Sequence, residues 1–157
     1  MTAPARCGAL LGCAALLLGS GCVEDLRPDV GPPAQELCLD EDSDPDTPVQ
    51  FARDIVDTIF ARELTGCHQC HRPTAPTPLG FEVGGLDLTD VTSLQKGGVV
   101  SGSDIVSPGR PCESILLQKV GPAAPFGGRM PLNGPPFLND DERQLIHDWI
   151  AEGALDN

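Results

Sequence analysis

The sequence predicts an all-helical fold in which a few helices are joined by long loops rich in proline and glycine. Three observations predict it. Apolar residues recur at helical spacing in two stretches, one over residues 49–64 and one over residues 139–153. The chain holds 16 prolines and 18 glycines, and those lying between the two stretches break any other long element. At 157 residues and 40% hydrophobic content the chain can build one core, which is one ordinary domain. Aromatic residues make up only 4% of it, with one Trp and no Tyr.

Residues 1–21 read as a secretory signal. Arg6 supplies the positive start, Leu10 to Leu18 are apolar apart from Gly12, and Gly19-Ser20-Gly21 lead into Cys22. The apolar run is too short to span a bilayer comfortably. The arrangement resembles a bacterial lipoprotein signal, with Gly19 where that pattern has Leu and with Leu18 one place earlier. The resemblance implies that Cys22 is acylated and anchors the chain to a membrane. Ordinary cleavage would instead give a soluble periplasmic protein. By either route the chain is exported to the oxidising, periplasmic side of a bacterial membrane.

Residues 22–48 are expected to form an acidic, proline-rich tether. They carry nine acids against the single base Arg27, and Pro28, Pro32, Pro33, Pro45 and Pro48 punctuate them. Like charges repel, and so polar a stretch buries too little apolar surface to offset its ordering entropy. A specific acidic docking segment is the alternative reading.

The folded module is residues 49–157. Its first helix is expected from Val49 to Leu64. Phe51, Ile55, Ile59 and Phe60 lie on one face and Arg53, Asp54, Asp57 and Arg62 on the other, and Gly66 permits a turn afterwards. Residues 72–111 read mostly as loop, with a short helix near Thr89–Gln95. A further helix is expected from Pro111 or Cys112 to Val120. The last helix carries the most signals. Asn139 can cap it, Glu142 stands three residues on as in a capping box, Leu145, Ile146, Trp149 and Ile150 form a stripe, and Gly153 ends it. Loops this extensive contribute few core residues, so the module needs something besides side chains at its centre.

Cys67-His68-Gln69-Cys70-His71 has the Cys-x-x-Cys-His spacing of a c-type haem attachment site. Two thiols one turn apart reach the two vinyl groups of one haem and become thioethers, and the adjacent His71 supplies the proximal iron ligand. The same residues allow a thioredoxin-like dithiol or a zinc site. No βαβ pattern surrounds them, however, and Cys112 is the one cysteine downstream. His68 is expected at the surface or packed at the haem edge. Met130, in Gly127-Gly128-Arg129-Met130-Pro131, is the methionine that remains once Met1 leaves with the signal. Its thioether would be a soft sixth ligand favouring ferrous iron. His147 is the rival ligand, expected to project from the last helix into solvent.

These motifs together resemble a single-haem class I cytochrome c domain over residues 50–154. The likeness rests on the helix running into Cys67-His68-Gln69-Cys70-His71, the late Arg129-Met130-Pro131 segment, and the ending helix from Leu138-Asn139-Asp140-Asp141-Glu142-Arg143 to Gly153-Ala154. The long middle segment and Cys112 depart from familiar small cytochromes. The resemblance implies that the first and last helices cross and that one covalent haem c sits in a loop-lined crevice.

The expected crevice wall is Leu79, Phe81, Leu86, Leu88, Ile105, Ile115, Leu116, Phe126, Leu132 and Phe137. Lys96, Arg110 and Arg129 lie in loops that could reach haem propionates, or are solvated surface charges. Of the seven cysteines, Cys7 and Cys13 leave with the signal, Cys22 takes lipid, and Cys67 and Cys70 take haem. Cys38 and Cys112 remain, as a disulfide, as two unpaired thiols or as cysteines paired with another chain.

The expected function is an electron carrier rather than an enzyme, exchanging single electrons with redox protein partners. A formal net charge of −13 argues against nucleic acid and favours a basic partner. The alternatives are a haem-dependent redox enzyme such as a peroxidase, or a non-haem metal-binding lipoprotein.

Overall fold

The structure, a computed structural model, describes residues 38–63 and 65–157. The signal, Cys22 and the tether up to residue 37 lie outside the described residues. Among the described residues the chain is helical and has no strand.

The first helix spans Phe51–Phe60, shorter at both ends than expected. Its hydrogen bonds reach five residues back, as in Ala61 N–H to the Val56 carbonyl at 2.8 Å. This wider turn still places Phe51, Ile55, Ile59 and Phe60 on one buried face. At its start the Gln50 N–H donates locally to Asp54 at 2.9 Å, while two further N–H groups find partners at the far end of the chain. The Glu152 carboxylate accepts from Val49 N–H at 2.9 and 3.0 Å, and Asn157 Oδ1 accepts from Phe51 N–H at 2.9 Å.

The last helix, Asp140–Ala151, begins as its sequence indicates. Asn139 Oδ1 accepts from Glu142 N–H at 2.8 Å, and the Glu142 carboxylate accepts from Asn139 N–H at 2.9 Å. Gly153, at φ 102°, turns the chain away in a conformation that glycine adopts readily. Ile146, Trp149 and Ile150 are buried, and the Trp149 ring centroid lies 5.0 Å from that of Phe51. That aromatic contact joins the first and last helices, and an Arg62–Glu142 ion pair links the residues just after the first helix to the first turn of the last.

The middle segment is more helical than its prolines and glycines suggest. Short helical pieces form at Leu79–Glu82 and Gly102–Ile105, and a helix at Val91–Lys96 is capped by Asp90, whose carboxylate accepts from Ser93 N–H at 2.8 Å. The helix expected from residue 111 to Val120 is broken at Ser114 into a turn, Pro111–Glu113, and a helix, Ile115–Val120. The buried Ser114 hydroxyl explains the break. It accepts from Ser107 N–H at 2.8 Å and donates to the Arg110 carbonyl at 3.0 Å, which holds Ser114 extended. Leu88, Leu94, Ile105, Leu116 and Val120 complete the core.

The described end of the acidic stretch is fastened to the helical module rather than extended from it. Cys38 and Cys112 form a disulfide. The Asp40 carboxylate accepts from Cys112 N–H at 2.9 Å, and Ser43 donates its N–H and hydroxyl to Asp148 at 3.1 and 2.6 Å. The charges remain solvated while the backbone is held by partners more than 70 residues away, which local composition does not reveal. His147 is also corrected. It is largely buried, with Nε2 2.6 Å from the Leu39 carbonyl and Nδ1 3.0 Å from Asp148 Oδ1.

Candidate functional site

Gly66 leads into a tight turn, Cys67–Gln69, in which His71 N–H and Cys70 N–H both donate to the Cys67 carbonyl, at 2.9 and 3.1 Å. A turn this tight brings both thiols and the imidazole to one side of the chain. All three line a single cavity of about 790 Å³, and Met130 lines it as well. That volume falls within the range of small-molecule and cofactor sites. Cys67 and Cys70 are free thiols, unlike Cys38 and Cys112.

The walls are mainly apolar. Of the expected wall, Leu79, Leu86, Leu88, Ile105, Ile115, Leu116, Phe126 and Leu132 line the cavity. Phe81 does not, and Phe137 instead lies under the Arg129 guanidinium at 4.3 Å. Leu79, Val83, Val100 and Leu132 are exposed around the cavity, each at 64% or more. Large side chains in one exposed apolar cluster mark a place where something binds.

His71 is fixed from two sides. Its carbonyl accepts from Leu88 N–H at 2.8 Å, and its ring packs so close to Gly80 that a Cβ there would stand 2.5 Å from Nδ1 and Cε1. Nδ1 is buried without a hydrogen-bond partner. Burial pushes the imidazole below its ordinary value, the Leu86 and Gly80 backbone opposes this, and the Lys119 charge adds to it. The neutral ring is the form that has a lone pair to give. Burial also pushes the Cys67 thiol up to about 12. A thiol protonated at neutral pH is a poor nucleophile, which weighs against a dithiol redox site.

His68 neither faces solvent nor lines the cavity. It is buried, with Nε2 2.8 Å from the Leu88 carbonyl and its ring 5.9 Å from that of Phe60. His147 is likewise absent from the cavity, which removes it as a rival to Met130 there. None of Lys96, Arg110 and Arg129 lines the cavity. Arg110 pairs with Glu113 at 2.7 Å, and Arg129 Nε donates to the Val120 carbonyl at 2.9 Å. The cation that does line the cavity is Lys119, whose ammonium burial pushes below its ordinary value.

No protein-family model matches this chain, and no curated protein does. Among solved structures it is similar to the hydrazine synthase of Kuenenia stuttgartiensis, at 28% identity and a TM-score of 0.38. The match covers 68% of this chain and only 16% of that one. A likeness that loose and partial carries no argument about fold or activity.

Among the cavity residues that the sequence reading missed, Lys119 and Gly80 each left a faint signal. Lys119 stands four residues after Ile115 and three after Leu116, so it is a charge set within an apolar helical stripe. Gly80 sits between Leu79 and Phe81, where a lone glycine among large apolar residues marks a close approach.

Proposed function

We propose that the chain is an exported class I c-type cytochrome with one haem, which carries single electrons between redox partners. The observation that supports this most is one apolar cavity lined by two free thiols, a buried imidazole and the one methionine of the mature chain. The donor set fits a haem c. Cys67 and Cys70 would hold it through thioethers, and His71 and Met130 would be its axial ligands. The exposed apolar rim is the feature that a bound macrocycle would cover. When bound, the haem supplies a one-electron iron couple. The chain's own residues keep water from the site through Leu86, Leu88, Ile105 and Leu116. They also set the couple, because a thioether ligand favours the reduced iron.

A carrier fits the lining better than a catalyst does. A peroxidase-like enzyme needs an open iron position with free acid or base groups beside it. Apart from the motif itself, the ionisable residues on this cavity are Glu63 and Lys119, and the Lys119 ammonium is engaged by two backbone carbonyls. Residues 49–157 carry eight bases against fourteen acids, which suits a basic electron-transfer partner.

Carbon monoxide binding to the reduced holoprotein tests carrier against catalyst. The carrier reading expects the ferrous spectrum to be unchanged under carbon monoxide and no turnover of peroxide. Ready binding together with peroxide turnover would replace it with the enzymatic reading.

A further inference from the structure

Lys119 is buried to 9% exposure on the helix Ile115–Val120. Lysine is almost never buried unless its ammonium is paired, because desolvating the charge is costly. The partners here are two main-chain carbonyls. Lys119 Nζ donates to Phe126 O at 2.7 Å and to Gly128 O at 2.6 Å, and it stands 4.7 Å over the Phe126 ring. The main chain of the same residue closes a third link, since the Lys119 carbonyl accepts from Met130 N–H at 2.8 Å. All three bonds run from one residue to the segment 126–130. Arg129 returns the connection by donating to the Val120 carbonyl, one residue beyond Lys119, and to the Leu138 carbonyl at 3.5 Å.

The geometry points to Lys119 as the positioning residue for Met130, holding the loop that presents the thioether to the cavity. The inference rests on Met130 being an axial ligand. Its physical content is a coupling. The ammonium is tolerable in that place only while the loop's carbonyls face it, and the ammonium is what holds residues 126–128, whereas Arg129 and the Met130 N–H hold the loop further on. Gly127 and Gly128 bring no side chains to pack, and Gly127 has φ 55°. Charge-assisted hydrogen bonds are about twice as strong as neutral ones, so two of them on one short loop select one loop conformation. Without them the loop samples positions in which the sulfur is away from the iron, and an external ligand competes better.

The test uses the holoprotein and compares Lys119→Met and Lys119→Arg with wild type. Three quantities are read: covalent haem content, the weak far-red absorption of a Met–Fe(III) bond, and the affinity of the ferric iron for added imidazole. Lys119→Met fills similar space but cannot donate. It is expected to keep its covalent haem, lose much of the far-red band, and bind imidazole about tenfold more tightly or better. Lys119→Arg keeps charge and donors, and should restore the band and most of the wild-type resistance to imidazole.

A Lys119→Met protein with the wild-type band and imidazole affinity would overturn the inference. So would a Lys119→Arg protein as impaired as Lys119→Met, because the donors would then not be what matters. Should Lys119→Met fail to accumulate, Lys119→Leu takes its place and is read in the same way: a lost far-red band and tighter imidazole binding support the clamp, and wild-type values of both overturn it. Haem attached in wild type without a far-red band would refute Met130 ligation, and this inference with it, while leaving the cytochrome reading standing. A wild-type chain that takes no haem would end that reading too.

Discussion

Met130 is the residue on which the proposed chemistry turns. Its position on the cavity, with its N–H held by the Lys119 carbonyl, makes the thioether available to an iron whose other face His71 would hold. Met130→Ala is expected to abolish the far-red band, lower the reduction potential because the ligand favouring Fe(II) is gone, and open the reduced iron to carbon monoxide. Spectroscopy and a redox titration of the holoprotein check this, and an unchanged spectrum and potential would exclude Met130 as a ligand. Gly80 makes a complementary point about His71. A methyl group there has no room beside the imidazole, so the ring must move or the Leu79–Glu82 turn must shift. Gly80→Ala should destabilise the fold by about 1–3 kcal/mol, the usual range for overpacking. Thermal unfolding gives the size of the loss, and a high-spin signal in the attached haem would show that His71 had been displaced.

Among the elements, the last helix gathers the most connections. Its buried stripe packs on the first helix, Glu152 just beyond it takes the Val49 N–H, and Asp148 takes both donors of Ser43. Burial alone would raise the Asp148 carboxyl. The hydrogen bonds from Ser43, His147 and Gln144 outweigh it and hold the group below its ordinary value of 3.8. A carboxyl lowered in the folded state adds stability above its unfolded value, and loses it as pH falls through the folded value. Resistance to urea should therefore fall from about pH 6 to about pH 3 more steeply in wild type than in Asp148→Asn. Equal slopes would show that Asp148 contributes nothing to the fastening of residues 38–48.

The elements also show what a sequence can reveal. The last helix was legible because Asn139, Glu142 and the Ile146/Trp149/Ile150 stripe are all local signals that agree. The buried face of the first helix was legible from Phe51, Ile55, Ile59 and Phe60. Its end at Phe60 was not, because its wider hydrogen bonding leaves no local mark, and neither do the long-range partners Glu152 and Asn157 at its start. The Cys67–His71 motif is one tight turn, so its spacing was readable from the sequence. Lys119 was not, because its role exists only once residues 126–130 fold back over it.

On the scale of the whole molecule, composition described the charge well and the connections poorly. Residues 38–48 are as acidic and proline-rich as a tether should be, yet a disulfide to Cys112 and the bonds to Asp148 hold them on the module. Among the described residues no helix is long and apolar enough to cross a membrane. The proposed lipid anchor, Cys22, lies outside those residues. Cys22→Ser is expected to move the protein from the membrane pellet to the soluble fraction after export, and unaltered fractionation would argue against lipidation.

The central claim is that one chain carries one haem, bound covalently at Cys67 and Cys70. The mass of the intact protein, expressed with the haem-attachment machinery and denatured before measurement, tests it most directly. The processed chain, with whatever lipid Cys22 carries, is expected to weigh one haem more than the variant in which both cysteines are replaced by serine. A chain that leaves the same cell with no haem mass added, or whose undenatured form carries zinc in place of haem, would contradict it.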